Sequence, residues 1–232
     1  LYADSTINLN QTKPNGTLLN ASGKIVSKDA LNITFDTVNN TGKDALLLSD
    51  QTINIKALQV NNNNQLVDKK FTGGIQAQDI TIAAQKLDNT EGYISSDNSN
   101  LLISKDLKNT KGYIYGGTDL NIGTPAQTLK LNNNQGELRS KQNINIVADS
   151  VTNTKGLIAS QGNAAIKAKQ DYLHQAGDNL LINKQLSIQT SGNINNQSDL
   201  KAGEKLVLQA NNVTNEIGAQ IVSNDVDIQA TK

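Results

Sequence analysis

One punctuation mark returns throughout this chain and constrains its fold more than anything else: an aliphatic residue, a spacer, Asn, two spacers and Gly. It reads Leu87-Asp88-Asn89-Thr90-Glu91-Gly92, then Leu107-x-Asn109-x-x-Gly112, Leu131-x-Asn133-x-x-Gly136 and Val151-x-Asn153-x-x-Gly156. Leu18-x-Asn20-x-x-Gly23 and Val213-x-Asn215-x-x-Gly218 carry it toward both ends, and Val38-x-Asn40-x-Gly42 is a version one residue shorter. Gly177 and Ser198 fill the anchor position in between, so the mark recurs roughly every twenty residues, the signature of a stacked repeat.

Within each repeat the apolar residues alternate. The second position after the anchor is aliphatic, as in Ile25, Ile94, Ile114, Leu138, Ile158 and Leu200, and two residues on comes a small residue such as Ser27, Ser96, Gly116, Ser140 or Ala202. A second alternating pair follows, for example Leu31 and Ile33, Ile53 and Ile55, Ile144 and Ile146, Leu206 and Leu208. Period two over short segments means strands, and no segment holds the i, i+3, i+4, i+7 spacing of an amphipathic helix. With the Val or Leu before Asn supplying a third strand, each repeat is a coil of three short strands joined by tight turns. One coil buries too little apolar surface to offset the entropy of ordering it, so coils must stack.

The expected fold is therefore all-β: a right-handed parallel β-helix of about ten to eleven coils, each of about twenty residues, right-handed because parallel crossovers almost always are. Composition agrees, since aromatic residues make up only 3% of the chain, with two Phe, five Tyr and no Trp. Thin aliphatic layers must fill the core. Residues 1–232 read as one β-helix segment, and the absence of Met suggests an internal piece of a longer polypeptide. Two departures from the period, near 61–72 and near 124–128, are expected to leave the rod as loops.

The recurring Asn residues, Asn20, Asn40, Asn89, Asn109, Asn133, Asn153, Asn196 and Asn215, should lie above one another and form an amide ladder, with Gln175 in the place once. The competing explanation is that Asn sits there because it tolerates a left-handed corner.

Charge and site chemistry narrow the function. The 21 basic residues balance 21 acidic ones, and Arg139 is the one arginine, so there is no basic face for nucleic acid. No apolar run reaches membrane-span length, and no zinc or calcium pattern occurs. No metal or cofactor is expected. An enzyme on this scaffold would need carboxylates clustered across neighbouring coils; Asp225 and Asp227 share a face, but Lys205 and Val207 lie beneath them. His174, the only histidine, is expected at the surface beside a corner. The outward feature above background is aromatic: Tyr93 and Tyr113 on successive coils, Tyr115 two residues on, and Arg139 stacked over Tyr115. Such a stripe suits a glycan or protein ligand, or else merely stabilises the sheet.

The run Leu87 to Ser96, with the same pattern along nearly the whole chain, resembles the short haemagglutinin repeats of the filamentous haemagglutinin family, the exoproteins of bacterial two-partner secretion. The resemblance implies a cell-surface or secreted shaft, exported by an outer-membrane transporter, in an adhesin or a contact-dependent growth inhibition protein. The lack of Cys suits such export, whereas Lys13-Pro14-Asn15-Gly16 departs from the family's secretion-domain motif and reads as a turn. The expected role is a structural shaft. A segment binding a host or bacterial receptor or a glycan is the alternative, and a β-helical polysaccharide-active enzyme comes third.

Overall fold

The computed structural model describes residues 1–126 and 128–231 and is a parallel β-solenoid of about ten turns of about 22 residues, with three parallel sheets. The mean exceeds the basic repeat because some coils are longer, such as the step from Ile53 to its register partner Ile80. The first sheet has nine strands, from Tyr2–Ala3 through Tyr93–Ser96 to Asn179–Ile182. The second has eleven, from Ile7–Asn10 to Asp225–Ala230. The third has seven, from Thr17–Ala21 to Ser150–Thr152, and three further strands, Tyr172–His174, Ile194–Asn196 and Val213–Asn215, form a separate sheet after it.

Register turns the sequence columns into physical ones. Ile94 pairs with Ile114, Ile114 with Leu138 and Leu138 with Ile158 in the first sheet, while Leu31, Ile53 and Ile80 stack in the second. Each of these side chains is buried, as are the corner residues Ser27, Ser96, Ser140 and Ser160. Strand alternation alone sends these positions inward.

The Asn column is a hydrogen-bonded ladder. Nδ2 of Asn20 donates to Oδ1 of Asn40, and the same bond runs Asn40 to Asn62, Asn62 to Asn89, Asn89 to Asn109, Asn109 to Asn133 and Asn133 to Asn153, each at 2.7 Å. Each Nδ2 also reaches carbonyl oxygens at the corner, as Asn133 does to Gly136 and Leu157 at 3.2 Å. The left-handed corner explanation fails. Positive φ belongs to the residue before the glycine, Ser22 (53°), Glu91 (52°), Lys111 (53°), Gln135 (57°) and Lys155 (54°), and to none of the ladder residues. Gly112 is required for space: a Cβ there would sit 2.1 Å from the Asn89 carbonyl oxygen and 2.4 Å from Asn109 Oδ1.

Two places differ from the sequence reading. Asn61, Asn62 and Asn63 stay in the strand Gln59–Asn63, paired with Asn39, Asn40 and Thr41, so the excursion covers 64–72 and Asn62 is a ladder rung. The smaller insertion near 124–128 includes Gln127, which lies outside the described residues.

His174, expected at the surface, is fully buried and in register with Asn196, so it and not Gln175 takes the ladder place. Strand alternation forces this, because Leu173 between the two inward residues Tyr172 and His174 points out and is 43% exposed. The imidazole Nε2 lies 3.0 Å from the Asp199 carbonyl oxygen, the kind of acceptor Asn196 uses at Gln220, but Nδ1 has no partner among the described residues. The ladder stops at Asn153 and resumes with the 2.7 Å bond from Asn196 to Asn215. Tyr172 fills the neighbouring Val/Leu position in the same coil, 2% exposed. That coil also carries Ala164 where its register partners are Ile144 and Leu186, so a large side chain in the third strand offsets a small one in the second.

Two outcomes follow from this core. Asn109→Ala leaves Asn89 Nδ2 and Asn133 Oδ1 each without its 2.7 Å partner, both buried. At roughly 1–3 kcal/mol per orphaned group, guanidinium unfolding should show a loss of about 2–5 kcal/mol, against less than about 0.5 kcal/mol for Asn54→Ala, whose side chain is exposed on the outward face of the second sheet. Equal losses would mean that the buried ladder contributes nothing particular. Burial pushes the Tyr172 phenol well above its ordinary value, with Asp178 adding to the shift. An unfolded tyrosine ionises near about pH 10 and the folded one does not, so the unfolded chain binds fewer protons there and stability falls as pH rises past that point. Tyr172→Phe should flatten this alkaline loss in denaturation midpoints measured across that range; an unchanged slope would remove Tyr172 as its source.

Candidate functional site

The outward face of the first sheet differs in chemistry from that of the second. On the second sheet the outward positions hold amides that pair along the rod, such as Asn54 to Asn32, Asn32 to Asn8 and Asn145 to Asn121, each at 2.9 Å. On the first sheet they hold Leu46, Leu48, Tyr93, Tyr113, Tyr115 and Leu181. Alternation explains the placement: with Ile94, Ile114 and Leu138 inward, their neighbours Tyr93, Tyr113, Tyr115, Glu137 and Arg139 must face out.

Register brings Tyr93 beside Tyr113, and Tyr115 beside Arg139. The rings of Tyr93 and Tyr113 stack with centroids 5.4 Å apart and planes 17° from parallel, and Tyr113 and Tyr115 lie 6.4 Å apart. From the core side, Nδ2 of the buried Asn100 donates to the Tyr115 carbonyl oxygen and fixes that backbone. Asn100 occupies an otherwise aliphatic column, between Ile80 and Leu120.

The excursion at 64–72 lands on this stripe. Its strands Leu66–Val67 and Lys70–Phe71 form a small antiparallel hairpin, and Phe71 places its ring 5.2 Å from Tyr93 and 6.0 Å from Tyr113. Gln65 ties the hairpin to the rod. Its Nε2 donates to Asn62 Oδ1 at 3.0 Å and to the Asn40 carbonyl at 2.7 Å, and its Oε1 accepts from the Tyr93 N–H at 3.1 Å. The sequence places the tyrosine stripe on the rod and expects the segment near 61–72 to leave it; the structure folds that segment back onto the stripe and adds Phe71, Lys69 and Lys111 to the surface. No repeat signal locates Phe71, because the hairpin lies outside the period.

Two shallow grooves share Tyr113. One, of about 300 Å³, runs under the hairpin between Phe71, Lys69, Lys111, Gln135 and Glu137. The other, of about 340 Å³, continues past Tyr115 and Arg139 to Lys141, Gln161, Leu181 and Asn183. Ala159 is the register neighbour of both Arg139 and Leu181, and its small side chain leaves the notch that becomes the second groove. Arg139 Nε is 2.7 Å from Glu137 Oε2, and Lys111 is 3.8 Å from Glu91. Burial is the largest influence on the Tyr113 phenol and raises its pKa; Arg139 opposes this, while Tyr93, Glu137 and Tyr115 add to it.

The other residues weighed for chemistry stay apart. Lys205 pairs with Asp225 at 3.0 Å, and Asp227 lies beside Val207, as the column reading expects. Among the described residues no group of three or more His, Cys, Asp or Glu is placed to hold a metal ion.

If Phe71 supplies the cover over Tyr113, Phe71→Ala should move the Tyr113 titration, followed by NMR of its ring, to lower pH, toward the ordinary phenol value. An unmoved titration would mean that the hairpin does not shield the ring.

Compared with protein-family models, with curated proteins and with solved structures, the chain finds no match in any of the three.

Proposed function

We propose that this chain is a structural shaft, a stiff spacer that holds something else at a distance. The observation that carries the reading is the second sheet, in which eleven parallel strands follow one another without interruption. Ten strand-to-strand steps at about 4.8 Å make a rod about 50 Å long. Its stiffness comes from backbone hydrogen bonds that run along the axis, reinforced by the amide ladder. The two grooves that meet at Tyr113 are shallow and open.

The finer reading rests on the haemagglutinin-like repeat pattern. In it the rod is part of a secreted, cell-surface exoprotein of the two-partner secretion type, an adhesin or a contact-dependent toxin-delivery protein. The outer-membrane transporter is then its export partner, and a host or bacterial cell its target.

A spacer must be rigid and must change length in whole coils. Solution X-ray scattering should give the profile of a stiff rod; a compact sphere or a flexible chain would sink the proposal. Deleting 93–112 joins Gly92 to Tyr113 in phase and should give a folded rod shorter by about 4.8 Å. Deleting 93–102 puts the columns out of phase and should abolish folding.

A further inference from the structure

The geometry points to a lateral binding site for an acidic saccharide chain, lying across the two grooves that meet at Tyr113. This goes beyond the shaft reading and does not depend on it.

Charge is the first argument. The chain as a whole is neutral, yet the two grooves are lined by Lys69, Lys111, Arg139 and Lys141 against one carboxylate, Glu137. Glu137 is already engaged by Arg139 Nε, and Lys111 by Glu91. Lys69 and Lys141 make no salt bridge with any described residue, and the second groove has no acidic residue in its lining.

Unused hydrogen-bonding capacity is the second. The phenol hydroxyls of Tyr93, Tyr113 and Tyr115 bond to no described residue, unlike that of Tyr2, which donates to Asp4 at 2.6 Å. Amide side chains of Gln135, Gln161 and Asn183 border the same grooves. Hydroxyls, amides and ammonium groups beside aromatic rings, on an open surface, match a polyhydroxylated chain that carries carboxylate or sulfate groups. A compact apolar ligand would need more enclosure.

Two rival occupants fit less well. Extended peptides that add to a sheet need a free strand edge, and Tyr93–Ser96, Tyr113–Gly116 and Glu137–Ser140 are each paired on both sides. Single-stranded nucleic acid stacks its bases on open ring faces. Here Phe71, Tyr93 and Tyr113 turn their faces largely to one another.

The test uses the whole 232-residue chain titrated against immobilised sialylated, uronic-acid-containing, sulfated and neutral oligosaccharides, with single-stranded DNA and an acidic peptide immobilised alongside. Acidic glycans should bind, weaken with added salt, and lose about tenfold in affinity with Lys141→Glu and with Tyr113→Ala. Lys56→Glu, on the outward side of the second sheet, should leave binding within about twofold. The carboxylated and sulfated arms identify which acid is read. Lys141→Glu lies on an exposed corner and keeps the test valid if Tyr113→Ala misfolds. The site is overturned if neutral glycans bind equally well, if Lys141→Glu and Lys56→Glu act alike, or if only nucleic acid or acidic peptide is retained. Circular dichroism and the rod-like scattering profile separate loss of the site from loss of the shaft.

Discussion

Burying an amide costs more than its hydrogen bonds return unless donor and acceptor both find partners, and in this rod both partners lie on neighbouring coils. Asn109 accepts from Asn89 and donates to Asn133, so no rung is complete alone. The aliphatic columns obey the same dependence. Ile114 is shielded from above and below by Ile94 and Leu138, and each strand takes its backbone partners from the coils on either side. A core position therefore cannot change freely, because its neighbours in the column were chosen to match it. That is the physical origin of the repetitive sequence.

Where the matching is relaxed, the sheets register it. At His174 the imidazole Nε2 donates to the Asp199 carbonyl oxygen in the following coil, which leaves Nδ1 an unprotonated acceptor that cannot donate to Asn196 as an amide would, so Nδ1 and Asn196 Oδ1 have no partner among the described residues. The third sheet is interrupted at the same place, between Ser150–Thr152 and Tyr172–His174, and the first sheet one coil later, between Asn179–Ile182 and Asp199–Lys201. The second sheet runs through, with Ala164 and Ala165 paired to Ile144 and Asn145 on one side and to Leu186 and Ser187 on the other. Two sheets therefore span each break, and the second sheet is the one that spans both.

The Ile, Leu and Asn columns were legible because period two and a glycine anchor survive any variation on the outside. Asn62 was hidden within Asn61 to Asn64, although Val60-Asn61-Asn62 already has the aliphatic-spacer-Asn form; the missing glycine made the strand look like a loop. The structure shows the substitute, Gln65, whose side-chain amide bonds to Asn62 where a close glycine turn is otherwise found. His174 was misread by one residue, since Gln175 resembles Asn more closely, but alternation from Tyr172 decides the matter. Tyr93, Tyr113, Tyr115 and Arg139 could be placed on one face from spacing alone. Phe71 could not: its position follows from the path of a hairpin that no repeat dictates.

That hairpin shows how a new surface enters so constrained a fold. Inward columns cannot be altered without cost to two neighbours, so additions come at corners and in outward side chains. The coil carrying the hairpin re-enters the first sheet through Gly73 and Gly74, and both glycines are demanded by crowding. A Cβ on Gly73 would lie 2.2 Å from the Ala45 carbonyl oxygen, and one on Gly74 would lie 2.3 Å from that of Tyr93 and 2.9 Å from its Cβ. Gly74 also holds a φ of 121°, a conformation other residues rarely adopt. By giving up side chains at this re-entry, the coil lets the next one stack at ordinary strand spacing with Tyr93 directly against it. The ring of Tyr93 then stands where Phe71 can reach it, so the same two residues that close the insertion also set the first aromatic of the stripe in place.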